Sequence, residues 1–84
     1  MSVRDGRHRT KLEVLGDRLR RMEDVVLVRG GSVVPNIGER VYNERAQVVG
    51  YVTNVFGPVS RFYVAVRVTK RDRDDGVYRV LRET

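Results

Sequence analysis

From Val25 onward, the chain consists of short apolar runs that are separated by Gly, Pro, Asn or Asp. The runs are rich in Val and Tyr, which favour β-strands because branched and aromatic side chains suit a pleated surface. They are VVLVR (25–29), RVYN (40–43), AQVVGYVTNVF (46–56), RFYVAVRV (61–68) and VYRVL (77–81). Short strands at this spacing predict an all-β domain, either a small barrel or a sandwich.

The fourth run has the clearest alternation of apolar and polar positions. One face holds Phe62, Val64, Val66 and Val68, and the other holds Tyr63, Ala65, Arg67 and Thr69. A period of two residues is typical of a strand with one buried side. Burial of each apolar side chain contributes roughly 1.5–3 kcal/mol, so we expect this face to form a large part of the core.

The third run is less regular, because its apolar residues cannot all lie on one face of a flat strand. These residues are Val48, Val49, Val52, Val55 and Phe56. A glycine inside a strand often marks a bulge or a tight barrel corner, so we predict a bulge near Gly50. Asn43-Glu44-Arg45, which precedes this run, suits a tight hairpin turn.

Residues 12–23 fit two kinds of element. Apolar residues recur there at helical spacing, namely Leu12, Leu15, Leu19 and Met22. The segment KLEVL, in contrast, alternates like a strand, and Gly16 weakens a helix interior by about 1 kcal/mol. On periodicity alone, a helix is slightly favoured.

Composition limits the size and class of the domain. The chain has 84 residues, no cysteine and no tryptophan, so it has room for one domain and no disulfide to stabilise it. We expect residues 1–11, with Arg4, Arg7, Arg9 and Lys11, to be a flexible basic tail and residues 12–84 to form the domain. No apolar run approaches the roughly 18 residues of a membrane span, and no signal core is present, so a cytoplasmic location is expected.

The net charge of +6 suggests an acidic partner, for which nucleic acid is the obvious candidate. Four tyrosines lie in predicted strands among arginines, at positions 42, 51, 63 and 78. An outward Tyr beside Arg can stack on an RNA base, but amphipathic rings more often cover a barrel while their hydroxyls stay in water. The covering role is therefore the favoured interpretation.

Few residues in this chain could carry out catalysis. The only histidine is His8, in the predicted tail, and without cysteine there is neither a thiol nucleophile nor a cysteine metal cluster. The segment KRDRDDG (70–76) is predicted to be a solvated loop rather than an acid–base pair. Gly30-Gly31 and Gly57 lack the strand–glycine–helix context of a phosphate-binding loop. We therefore predict no enzyme activity, no cofactor and no metal.

The stretch from Pro35 to Val68, with ERVYNERAQVVGYVTNVFGPVSRFYVAVRV at its centre, resembles a known family. It is similar to the core domain of the Gar-one family, the small subunit of H/ACA ribonucleoproteins, in its compact archaeal form. The most specific part is VFGPV (55–59), followed by an aromatic pair and an alternating strand. Leu12 to Gly16 could match the opening strand of that family, which would argue against a helix there.

The resemblance implies a six-stranded β-barrel, closed or partly open, similar to barrels in translation factors. Such a subunit has no catalytic residue of its own. It docks on the catalytic domain of a dyskerin-type pseudouridine synthase, meets the H/ACA guide RNA mainly through that protein, and promotes turnover in rRNA pseudouridylation. No membrane and no small-molecule substrate are implied. A barrel that binds RNA directly and an assembly factor with the same core domain are the alternatives.

The predicted contact surface lies in two loops. Gly57-Pro58 restricts the backbone, and a pre-organised apolar loop loses little entropy on docking. The proposed contact residues are Val34, Pro35, Ile37, Phe56, Gly57, Pro58, Val59, Phe62 and Tyr63. At least one of the two phenylalanines is expected to fill the barrel interior instead of facing the partner.

Overall fold

A computed structural model describes residues 10–83 and contains six strands. They are β1 (Thr10–Met22), β2 (Val25–Arg29), β3 (Arg40–Tyr42), β4 (Val48–Phe56), β5 (Tyr63–Val68) and β6 (Val77–Glu83). A short 3-10 helix, Arg71–Arg73, lies between β5 and β6. All five strands predicted from Val25 onward are confirmed within a few residues at their ends.

The six strands form one closed barrel in the order β1-β2-β5-β4-β3-β6, and every neighbouring pair is antiparallel. The predicted six-stranded barrel is therefore confirmed. β1 already includes Thr10 and Lys11, which pair with Glu83 and Arg82, although the sequence placed these two residues in the tail. The rest of the predicted tail, residues 1–9, lies outside the described residues.

The slight preference for a helix at residues 12–23 is wrong, because this segment belongs to the long strand β1. Its pairing register shifts around Leu15 on the β6 side and around Leu19 on the β2 side. Each shift inserts one unpaired residue and breaks the period of two. Of the four apolar residues at helical spacing, only Leu15 is buried. The helical spacing of these four residues therefore does not mark a common buried face.

The core lies inside the barrel and consists mainly of valine. It contains Leu15, Val26, Val28, Val41, Val49, Val52, Phe62, Val64, Val66, Val68, Tyr78 and Val80. The alternation predicted for β5 is confirmed, since its apolar face is buried in full.

β4 contains the predicted irregularity. Its register against β3 skips Val49, next to Gly50, and its register against β5 skips Thr53. A Cβ atom at Gly50 would lie 1.9 Å from the carbonyl oxygen of Arg67, so only glycine fits here. The predicted bulge near Gly50 is confirmed, and a second bulge explains why Val52 and Val55 both turn toward the core.

The two ends of the barrel differ in chemistry because the connections alternate between them. The connections β1–β2, β3–β4 and β5–β6 lie at one end and carry most of the loop charge. The connections at residues 30–39 and 57–62 lie at the other end, where exposed apolar side chains are concentrated. We call these the polar end and the apolar end.

Candidate functional site

Two loops are joined to each other and to the barrel at the apolar end. The backbone N–H of Gly30 donates to the carbonyl oxygen of Phe62 at 3.0 Å, which links the start of the first loop to the end of the second. Farther along the first loop, the N–H of Gly38 donates to the carbonyl oxygen of Val52 at 2.7 Å. Both loops are therefore held in place by backbone hydrogen bonds.

Seven of the nine predicted contact residues reach the surface in these loops and at the adjoining strand ends. They are Val34, Ile37, Phe56, Gly57, Pro58, Val59 and Tyr63, and we call this set the apolar rim. Val59 is 81% exposed and Ile37 is 68% exposed, which is unusual for side chains of this size. Clustered apolar exposure of this kind is typical of surfaces that bind another molecule.

Pro35 and Phe62 do not belong to the exposed surface. Both are buried, and only 3% of Phe62 is accessible. The Phe62 ring lies directly over Gly30, where a Cβ atom would come within 2.1 Å of it. These two residues therefore lie beneath the exposed apolar rim. The expectation that at least one phenylalanine fills the interior is confirmed for Phe62.

The turn at Gly57 is fixed by its local geometry. Gly57 has φ of 99°, a conformation that residues with a side chain rarely adopt. A Cβ atom there would also lie 2.9 Å from the carbonyl oxygen of Arg61. The N–H of Arg61 donates to the carbonyl oxygen of Pro58 at 2.9 Å and closes the turn. The turn consequently presents Pro58 and Val59 in one defined arrangement.

The rings of Phe56 and Tyr63 stand side by side at the base of this turn. Their centroids are 5.9 Å apart, with planes inclined by 31°. The two residues are cross-strand partners in β4 and β5, so the sheet register itself brings the rings together. Phe56 remains 43% exposed and adds an aromatic surface to the apolar rim.

The loop at residues 30–39 is anchored by an ion pair between Glu39 and Arg82. The guanidinium also donates to the carbonyl oxygen of Val34 at 3.4 Å. Burial acts to raise the pKa of the Glu39 carboxyl, but the hydrogen bonds from Arg82 and from the N–H of Asn36, together with the charge of Arg82, outweigh it. The pKa of Glu39 therefore lies below its ordinary value of 4.5.

This lowered pKa predicts a pH-dependent contribution to stability. The folded state favours the charged carboxylate, so the contribution is present above about pH 4.5 and is lost as the pH falls through the lowered pKa. Glu39→Gln should reduce the free energy of unfolding by about 1 kcal/mol at pH 7. In urea titrations, the difference from the wild type should shrink at pH 3. Glu44→Gln, at an exposed turn, should show no such difference, and a gap that widens at pH 3 would contradict the assignment.

At the polar end, Asp74 is the centre of a cluster that joins three parts of the chain. Its side chain is 2% exposed and accepts hydrogen bonds from the Tyr78 hydroxyl at 2.7 Å and from Arg21 at 2.7 Å. Arg18 approaches to 3.4 Å, and the N–H of Gly76 donates at 2.9 Å. Burial raises the pKa of the Tyr78 hydroxyl, and its hydrogen bond to Asp74 raises it further.

The interpretation of residues 70–76 as a plain solvated loop is therefore wrong for Asp74 and incomplete for Asp75. Asp75 accepts hydrogen bonds from the N–H groups of Glu44 and Val77 and pairs with Arg79. Burial opposes these contacts, but together they lower the pKa of Asp75. Asp74 and Asp75 are thus both occupied by structural partners.

Asn43 closes the predicted hairpin turn and ties it to the same loop. Its side-chain oxygen accepts hydrogen bonds from the N–H groups of Arg45 and Gln47, and its amide donates to the carbonyl oxygen of Arg73. Ala46, at φ of 63°, completes the turn. The tight turn is confirmed, and these bonds satisfy the polar groups of the buried Asn43 side chain.

The four tyrosines occupy different environments. Tyr78 lies in the core, so it does not cover the barrel surface as expected. Tyr42 and Tyr63 are half-buried. Tyr51 is exposed on the outer face of β4, where its cross-strand neighbours are Arg40 and Arg67. Tyr51 and Tyr63 thus lie on the outside beside arginines, and Tyr42 pairs with Arg79 of β6.

In a comparison with known protein families, one family model matches this chain. The family model described as "Gar1/Naf1 RNA binding region" matches residues 12–81, which is nearly the whole barrel. A search of curated proteins finds no match. Among residues 10–83, no group of three or more His, Cys, Asp and Glu is placed to hold a metal ion. No helix in that range is both long and apolar enough to cross a membrane.

Proposed function

The chain belongs to the Gar1/Naf1 RNA binding region family, and on that premise we propose that it is a non-catalytic subunit of an H/ACA RNA-guided pseudouridylation complex. In this proposal, the barrel docks on the catalytic domain of a dyskerin-type pseudouridine synthase and promotes release and rebinding of the rRNA substrate. It meets the H/ACA guide RNA mainly through the synthase. Family membership by itself associates the chain with RNA.

The exposed apolar rim is the observation that supports docking on a protein. Val34, Ile37 and Val59 offer no group that could neutralise a phosphate or pair with a base edge. Their burial against a complementary apolar surface would be favourable, at about 25 cal/mol per Å² of area removed from water. A partner that covers this end of the barrel is therefore best understood as a protein.

The rigidity of the rim supports the same proposal. Gly57 and Pro58 restrict the turn, and the Glu39–Arg82 pair restrains the other loop. Because both loops are ordered before binding, little conformational entropy is lost on docking. A few such anchors commonly supply most of the binding energy of an interface. A rigid apolar rim is thus suited to positioning a mobile segment of a partner enzyme.

The double variant Pro58→Ala, Val59→Asp tests the docking proposal. It should weaken synthase binding at least about tenfold, because it loosens the turn and places a charge in an apolar contact. Both side chains are exposed, so the circular dichroism spectrum and the unfolding midpoint should change little. Binding is measured by pull-down and by calorimetry with the purified synthase.

Val14→Asp is the matched control. Val14 is 56% exposed on β1, outside the apolar rim, and receives the same change of side chain. Its affinity for the synthase should equal that of the wild type. Undiminished binding by the double variant, with the fold intact, would show that the apolar rim is not the docking surface.

A further inference from the structure

Charge is distributed unevenly around the barrel. Strands β2, β3, β4 and β5 contain no aspartate or glutamate, whereas β1 and β6 contain Glu13, Asp17 and Glu83. The four carboxylate-free strands are adjacent in the barrel order, so their outer surface is one continuous face. Three arginines, Arg29, Arg40 and Arg67, lie on this face. An anionic partner would meet no carboxylate on these strands.

One cross-strand row on this face combines positive charge with an aromatic ring. Tyr51 of β4 pairs directly with Arg40 of β3 on one side and with Arg67 of β5 on the other. Their chain neighbours Val41, Val52 and Val66 point into the core, so the three side chains of the row point outward. Directly opposed residues have Cβ atoms about 5 Å apart. Tyr51 is therefore flanked on both sides by an arginine of the neighbouring strand.

These two guanidinium groups are available to a ligand. Among residues 10–83, the basic residues that form salt bridges all belong to β1 and β6, namely Lys11, Arg18, Arg21, Arg79 and Arg82. Neither Arg40 nor Arg67 forms one within that range. Both side chains are exposed. Their positive charge is thus not neutralised within the described chain.

A second tyrosine beside two arginines lies farther along the same face. A cavity of about 390 Å³ is lined by Arg29, Gly30, Ser60, Arg61 and Tyr63. Tyr63 and Arg67 are four residues apart along β5, so this second site lies about 13 Å from the row that contains Tyr51. Two tyrosines, each beside two arginines, are thus spaced along one strand pair.

We propose that this outer face binds single-stranded RNA, with a base stacked on Tyr51 and the flanking phosphates on Arg40 and Arg67. Sequence-tolerant recognition of single strands combines these two features, an aromatic platform and a positively charged track. An acidic protein segment could pair with the arginines, but it would leave the exposed ring without a partner. The family description names RNA binding without assigning residues. The proposal uses residues outside the apolar rim for its central contact and does not depend on synthase docking.

Fluorescence anisotropy with a labelled ten-nucleotide single-stranded RNA tests this proposal on the full chain without the synthase. Tyr51→Ala should weaken binding about 5- to 100-fold, whereas Tyr51→Phe, which keeps the ring, should bind within about twofold of the wild type. Arg40→Ala with Arg67→Ala should lower the slope of log K against log salt by about 1.4 in magnitude, since each phosphate contact on a single strand contributes about 0.7.

Arg71→Ala is the matched control, because Arg71 is exposed at the polar end and forms no salt bridge within the described residues. It should change affinity less than about threefold. If Arg71→Ala lost as much RNA affinity as the double variant, binding would depend on general electrostatic attraction, and the proposal would be overturned. Unchanged binding by Tyr51→Ala would also overturn it. Equally effective competition by a polyglutamate peptide would assign the face to an acidic protein segment instead.

Discussion

Phe62→Ala is expected to lower the free energy of unfolding by about 3–5 kcal/mol, the range found when a buried phenylalanine is truncated. Phe62 is 3% exposed, and its ring covers Gly30, so the deletion leaves a cavity where the two loops of the apolar end meet. The main chain at this residue also accepts the hydrogen bond from Gly30. Urea denaturation followed by circular dichroism measures the loss.

Phe56→Ala makes the same chemical change at the chain's other phenylalanine. Phe56 is 43% exposed, and its main defined contact is the Tyr63 ring at 5.9 Å, so its loss should be about 1 kcal/mol. The two variants should therefore differ clearly in stability. If Phe56→Ala were as destabilising as Phe62→Ala, the burial assigned to the two rings would be incorrect.

The position of Phe62 was predictable from the period of two in β5. That pattern placed Phe62 on the same face as Val64, Val66 and Val68, and all four are buried. Its inclusion among the contact residues relied on its closeness in sequence to the exposed turn. Alternation predicts burial better than closeness in sequence does, because successive side chains of a strand point to opposite faces.

β1 was not predictable in the same way. Its bulges around Leu15 and Leu19 depend on pairing with β6 and β2, which lie on opposite sides of the strand. A local pattern cannot contain that information, and the apolar residues at helical spacing mislead because only Leu15 among them is buried. Gly50 was easier to interpret, since a glycine inside an apolar run is itself a sign of a bulge.

The cluster around Asp74 could not be predicted from local sequence. Asp74 is 53 residues from Arg21 and 56 from Arg18, and closure of the barrel brings them together. In the sequence, Asp74 lies among alternating charges that are typical of a solvated loop. Asp74 and Tyr78 are only four residues apart. Outside a helix, however, a separation of four residues does not predict that two side chains are in contact.

Asp74→Asn should lower the free energy of unfolding by about 3 kcal/mol, because it removes the charge that Arg18 and Arg21 share at a nearly buried site. The value lies at the low end for a broken buried ion pair, since the two arginines are 39% and 27% exposed and can be rehydrated. The amide also offers the Tyr78 hydroxyl a weaker acceptor than the carboxylate. Urea denaturation at pH 7 measures the change.

Asp72→Asn is the control for this prediction, because Asp72 is exposed in the same loop and should tolerate the change within about 0.5 kcal/mol. A double-mutant cycle with Tyr78→Phe isolates the contact between the hydroxyl and the carboxylate. Since these groups are in direct contact, the cycle should give a coupling energy of about 0.5–3 kcal/mol. Additive losses, or an equal loss for Asp72→Asn, would mean that general loop charge, and not this buried cluster, stabilises the polar end.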